Sequence, residues 1–118
     1  MFPNGMASSM PAKGKEPVWC IVMFDLPVGT KRERSEATRF RNQLQDLGFG
    51  RAQFSVYVQY FPLAARVANV VKILKTQLPR GGDIRIISVT DVQWAKAIRF
   101  SRAQEAKTEE TPTQMTIF

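Results

Sequence analysis

Apolar residues fall into blocks of different period along the chain. The first, VWCIVMF at residues 18–24, is unbroken. Seven residues rich in β-branched and aromatic types are too few to cross a membrane and read as a strand apolar on both faces. The run stops at Asp25, a carboxylate that is costly to bury unpaired. In the LPVG that follows, Pro27 removes a ladder donor and Gly29 loosens the backbone. Asp25 is expected at the carboxyl end of a central strand. The period then changes. Thr30 and Glu33 have capping-box spacing, and Ala37, Phe40, Leu44 and Leu47 recur at helical intervals, so a helix opens after Thr30 and stops at Gly48.

Residues 51–61, RAQFSVYVQYF, alternate Phe54, Val56 and Val58 against Ser55, Tyr57 and Gln59, which predicts a strand or two short strands around a tight bend, ended by Pro62. A second helix follows, with Ala64, Val67, Val71, Leu74 and Leu78 as its buried stripe and Arg66, Lys72 and Lys75 outside; Pro79 and the Gly81-Gly82 pair terminate it. DIRIISVT, residues 83–90, sets Ile84 and Ile86 on one face of a strand and Ile87 and Val89 on the other, and belongs beside the first strand. Residues 91–100 predict a short helical turn and then extended chain. The polar residues 101–112 read as a flexible linker, and TQMTIF at 113–118 as a strand that docks on a sheet edge or a partner through Gln114, Met115, Thr116, Ile117 and Phe118. Residues 1–17 mix Pro, Gly, Ser and Lys without an apolar block and are expected to be a disordered leader.

The order β, α, two short β, α, β is the ferredoxin-like βαββαβ pattern, an α+β fold with an antiparallel sheet in residues 18–100 and both helices on one face. The strands are apolar on both sides, so the other face needs a cover. A second copy packed sheet to sheet in a two-fold homodimer provides it, with the terminal strand as an extra edge strand.

Composition narrows the chemistry. The chain has 118 residues, one cysteine (Cys20, inside the first strand) and no histidine. That is one domain with no disulfide framework and no thiolate metal site, and it fits a reducing, cytoplasmic setting. Without histidine, catalysis has to use carboxylates, hydroxyls or a metal-bound water. The net charge is +7, and its source is the body of the chain: residues 31–102 hold fourteen basic and five acidic side chains. Such a field favours polyanions, nucleic acid above all; a generic solubilising charge is the bland reading.

Two candidate features follow. Asp25 either accepts turn N–H groups or acts as a functional carboxylate at a strand end. A two-fold axis near that end would bring two Asp25 side chains together, and Mg²⁺ commonly takes one or two carboxylates and fills its remaining positions with water and substrate phosphate. Such an ion lowers the pKa of bound water and stabilises phosphodiester cleavage. The first helix carries Lys31, Arg32, Arg34, Arg39 and Arg41, three of them in the first turn, where the macrodipole disfavours positive charge. Either they form a phosphate-contacting face or they sit on a solvated face with pairs such as Arg32 and Glu36.

VMFDLPVGTKRERSEATRFRNQL, GFGRAQFSVYV and LPRGGDIRIISVT, with the terminal QMTIF, together resemble the CRISPR-associated protein 2 family, in particular members that accompany type II systems. The resemblance covers residues 18–100 and the tail end. It implies a ferredoxin-like homodimer that works in CRISPR spacer acquisition, bridging two dimers of the integrase subunit, CRISPR-associated protein 1, and holding duplex DNA. It also implies a metal-dependent endonuclease acting on RNA or DNA. The family's metal-binding, catalytic aspartate falls on Asp25 and its Ser-aromatic segment on Gln53, Phe54 and Ser55. The leader is longer than such proteins usually carry.

Two other readings stand beside it. GFGRAQF, residues 48–54, partly imitates an RNA-recognition consensus, but Leu47 stands where a basic residue belongs and Arg51 where an aromatic should stack a base. A ferredoxin-like ribonuclease toxin of a toxin–antitoxin pair shares the aspartate at a strand end; the long basic helix and the terminal TQMTIF favour an assembly partner instead.

Overall fold

The computed structural model describes residues 14–102 and 104–112. Its elements are β1 (Val18–Asp25), α1 (Lys31–Asp46), β2 (Gly50–Gln53), β3 (Val56–Phe61), α2 (Arg66–Lys75), β4 (Asp83–Thr90), α3 (Asp91–Ala95), β5 (Arg99–Ser101) and β6 (Gln104–Ala106). The first four strands form an antiparallel sheet in the order β2-β3-β1-β4, the expected ferredoxin-like arrangement. β1 is central because every residue from Val18 to Phe24 is apolar and can be covered on both faces, and only Met23 among them is less than fully buried.

Alternation along β1 divides the core in two. Val18, Cys20, Val22 and Phe24 point to the helices and pack with Phe40, Leu44, Phe49, Tyr57, Phe61 and Leu74. Phe24 meets Phe40 edge-on at 5.2 Å and stacks on Tyr57 at 5.7 Å. Each such buried side chain contributes about 1.5–3 kcal/mol. α1 opens as expected: the Thr30 hydroxyl accepts from Glu33 N–H, and the Glu33 carboxylate accepts from Thr30 N–H. Gly48, at φ +99°, turns the chain out of the helix.

Several details differ from the sequence reading. In the 51–61 segment the expected alternation holds within β3, with Val56 and Val58 on the outer face and Tyr57, 1% exposed, on the helix face, while the ladder to β2 shifts register between Arg51 and Gln53. α2 ends at Lys75, and Leu78 lies beyond it, exposed. The stretch read as a flexible linker, 101–112, is organised otherwise: β5 and β6 pair as a hairpin, and the chain after it returns to the domain. There Trp94 Nε1 donates to Glu109 O at 3.2 Å, Thr108 Oγ1 to Ala97 O at 2.9 Å, and Thr111 Oγ1 to Asp91 Oδ1.

That return changes the second face of the sheet. Trp19, Ile21 and Val58 are buried there, and Trp94 of α3 stacks on Trp19 at 5.3 Å. The Trp19 indole donates to Asp91 Oδ1 at 2.9 Å. The chain thus covers part of the face that was expected to need a second copy. The expected docking strand, Gln114 to Phe118, and residues 1–13 of the expected leader lie outside the described residues. Among the described residues, no helix is long and apolar enough to cross a membrane.

Candidate active site

The carboxyl end of β1 lies next to the start of β4, because neighbouring antiparallel strands bring opposite ends together. The register pairs Asp25 with Asp83. Both carboxylates are exposed, and like charges directly opposite on a ladder destabilise the pair unless a cation relieves them. The third side comes from the β2–β3 bend, which is tied to β1 by a hydrogen bond from Phe24 N to Ser55 O at 3.1 Å. Asp25, Asp83, Ser55, Met23, Arg85 and neighbouring residues line an open cleft of about 320 Å³. Gly82 makes the corner possible: at φ +90° it runs so close to the Asp25 carbonyl oxygen that a Cβ would overlap it.

The residues fit a hydrated divalent cation better than a closed protein cage. One or two carboxylates with open positions suit Mg²⁺, and among the described residues no group of three or more His, Cys, Asp or Glu side chains comes together. Of the sequence candidates, Asp25 and Ser55 meet at this cleft.

The model of the CRISPR associated protein Cas2 family matches residues 18–97, a span that contains the whole four-stranded sheet, both long helices and the Asp25 cleft. The chain belongs to the CRISPR associated protein Cas2 family. A protein of Paracidovorax avenae named CRISPR-associated endoribonuclease Cas2 is 42% identical over 101 residues, covering 86% of this chain and 94% of that protein. Proteins of the same name from Flavobacterium psychrophilum and Parvibaculum lavamentivorans are 32% and 31% identical, each over 86% of this chain and over 88% and 100% of their own lengths.

Against this Cas2 framework, the five basic residues of α1 do not share one face. At 3.6 residues per turn, Arg32 and Arg39 fall on one flank of the buried stripe and Arg34 and Arg41 on the other. Arg32 Nε pairs with Glu36 Oε2 at 3.3 Å, the intrahelical alternative. The Arg34 guanidinium donates to Val28 O at 3.1 Å and so braces the loop leaving Asp25. Arg39 borders a separate cleft with Gln43, Asp46 and the end of α2. Arg41 reaches the β2–β3 bend and lies over Phe24 and Phe54. Lys31 is exposed at the helix start.

Sequence reasoning missed Asp83 as a partner of Asp25. The signal was present: once residues 83–90 are placed antiparallel to the first strand, the first residue of one lies opposite the last of the other. Glu36 was missed as a strap; its Oε1 accepts from Arg80 N at 3.0 Å and holds the α2–β4 loop against α1.

Proposed function

We propose that this chain is a metal-dependent nuclease that hydrolyses phosphodiester bonds, and that it serves as a subunit of the CRISPR spacer-acquisition complex. The observation that carries the nuclease reading is the register pairing of Asp25 with Asp83 at the lip of an open cleft, two exposed carboxylates whose repulsion a divalent cation relieves. The related proteins are named endoribonucleases, which makes RNA the first substrate to test, with duplex DNA beside it. Mg²⁺ held by Asp25, either with Asp83 or with the Asp25 of a two-fold partner, supplies a lowered pKa for bound water and stabilisation of charge on the phosphate. The chain's own part is to hold the Asp25 carboxylate in solvent reach, to keep the β2–β3 bend against it through Phe24 and Ser55, and to attract the strand with its basic body.

The test is cleavage of a labelled single-stranded RNA and a DNA duplex, with Mg²⁺ or with EDTA, by wild type and Asp25→Ala. Cleavage that needs Mg²⁺ and falls at least a hundredfold in the variant supports the reading. Equal cleavage by a folded Asp25→Ala protein overturns it.

The adaptation role rests on the excess of fourteen basic over five acidic residues across 31–102, which suits a long polyanionic duplex, with Arg32, Arg34, Arg39 and Arg41 on the two flanks of α1. There the chain acts as a homodimer bridging integrase dimers on protospacer DNA, with residues 114–118 as the docking strand. The mass of the complex formed with the integrase subunit and a duplex checks it. A chain ending at Pro112 keeps the contacts of Thr108, Glu109 and Thr111 and removes only the tail. Assembly of the full chain but not of the shortened one is the expected result; no assembly by either rejects the scaffold role.

A further inference from the structure

The bend between β2 and β3 carries a phenylalanine that packing does not explain. Phe54 is 69% exposed in a position where turn chemistry favours small polar residues. Two guanidinium groups converge on its ring. Arg41, from α1, lies with Cζ 4.8 Å from the ring centre, and Arg51, from β2, lies 5.0 Å from it. Arg41 is also 5.4 Å from the ring centre of Phe24, so it is fixed between a core aromatic and a surface aromatic. Its Nε is buried with no hydrogen-bond partner among the described residues.

Stability alone does not account for this arrangement. One guanidinium over Phe54 would give the cation–π contact; a second brings like charge to at most about 10 Å from the first, which is unfavourable. The one ion pair among the described residues is Arg32 with Glu36, so no carboxylate of these residues neutralises Arg41 or Arg51. An anion with several oxygens would suit the two groups. Guanidinium forks match phosphate oxygens two at a time, and stacking on an aromatic ring holds the forks in place before a ligand arrives. The position also fits. Phe54 adjoins Ser55, whose carbonyl accepts from Phe24 N, and Phe24 precedes Asp25.

We propose that Arg41 and Arg51, held on the ring of Phe54, form a phosphodiester clamp that grips a single nucleic-acid strand beside the Asp25 cleft. The clamp rests on the nuclease reading for its purpose but not for its detection. The two guanidinium groups contact phosphate, and Phe54 is a positioning residue that orders them.

The test is binding of a labelled single-stranded RNA in EDTA, where no metal-dependent cleavage intervenes, followed as log K against log salt concentration. Losing one phosphate contact lowers the slope by about 0.7 for a single strand, which is about fivefold in affinity at 0.1 M salt. Arg51→Gln should show that loss, while Lys72→Gln, which removes a charge from α2 away from the bend, should not. Phe54→Leu keeps both charges but loosens them and should weaken binding several-fold, with Phe54→Trp restoring it, since indole is the better cation–π partner. Arg41→Gln is read only if its melting temperature matches wild type; the exposed Arg51 and Phe54 decide the matter without it. Arg51→Gln and Phe54→Leu binding with wild-type affinity and slope overturns the clamp, as does an equal loss in Lys72→Gln. A clamp that binds in a protein that does not cleave rejects the nuclease reading alone, and cleavage lost in Asp25→Ala with binding unchanged in Arg51→Gln rejects the clamp alone.

Discussion

Replacing Gly82 by alanine should damage both the fold and the cleft, and its neighbour Gly81 is the internal control. Gly82 sits at φ +90°, and a Cβ there would overlap the main-chain oxygen of Asp25 and stand 2.9 Å from Leu26 Cδ2 and 3.0 Å from Leu26 Cα. At Gly81 a Cβ would meet only Pro27, with Cγ at 3.5 Å. The left-handed backbone costs an alanine about 1–2 kcal/mol, and relieving an overlap with backbone adds about 1–3 kcal/mol by the measure of overpacked sites. Gly82→Ala should therefore lose about 2–5 kcal/mol. In a domain of this size each kcal/mol lowers the melting temperature by about 4–8 °C, so the drop should be about 8 °C or more. Gly81→Ala should be neutral or gain up to about 1 kcal/mol, because it restricts the unfolded chain at little cost in the folded one.

Thermal unfolding followed by circular dichroism, with a urea titration for the free energy, measures both variants. The strain at Gly82 falls on the Asp25 carbonyl and on the loop that sets Asp83, so the surviving folded protein should also lose the proposed Mg²⁺-dependent cleavage. If Gly82→Ala melts within about 2 °C of Gly81→Ala, the close approach of this corner to Asp25 is not a constraint on the fold and the reasoning fails.

Two further outcomes are expected. Thr30→Ala removes the hydroxyl that accepts from Glu33 N–H at 3.1 Å and should cost about 1 kcal/mol in a urea titration. Burial pushes the Cys20 thiol up from 9.0 to about 11, so the folded protein should resist iodoacetamide at pH 8 and react only once unfolded. The folded thiol holds its proton more tightly than the unfolded one, so this stability is full below pH 9.0 and is lost as pH rises towards about 11; a urea midpoint that does not fall across that window counts against it.

What the sequence made legible was local. β1 and β4 followed from runs whose length and β-branched content leave one reading, and the start of α1 followed from two residues three apart. The covering of the second sheet face was not legible, since it depends on contacts across most of the chain. Asp91 accepts from the Trp19 indole, 72 positions away, and from the Thr111 hydroxyl, and nothing in the polar composition of residues 101–112 marks them as the segment that returns. Asp25 was legible as a strand-end carboxylate from composition alone, whereas its neighbour Asp83 becomes legible only once residues 83–90 are set antiparallel to β1 and the register is followed to the strand ends. The basic helix was legible in part: the Arg32–Glu36 pair follows from its spacing, whereas the placing of the basic side chains on two flanks, where Arg32, Arg34 and Arg41 each meet a different partner, shows only once the helix is packed.

The pairing within the chain also bears on the proposed homodimer. The self-covering of Trp19 by Trp94 leaves a cleft of about 310 Å³ between Met23 and Val56 on the sheet and Ile98 and Phe100 beyond it, and Ile98 and Phe100 remain 73% and 68% exposed. Apolar surface therefore persists near the Asp25 end, where a second copy would have to approach for two Asp25 carboxylates to meet. Asp83 offers an alternative to that approach, because a single chain already sets two carboxylates in register. The two arrangements separate on Asp83→Asn. If the ion is shared by Asp25 and Asp83 of one chain, Mg²⁺ should raise the melting temperature of wild type and no longer do so in Asp83→Asn, at any protein concentration. If it is shared by two Asp25 residues, Asp83→Asn should keep the Mg²⁺ response and lose it only on dilution below the dimer's dissociation constant.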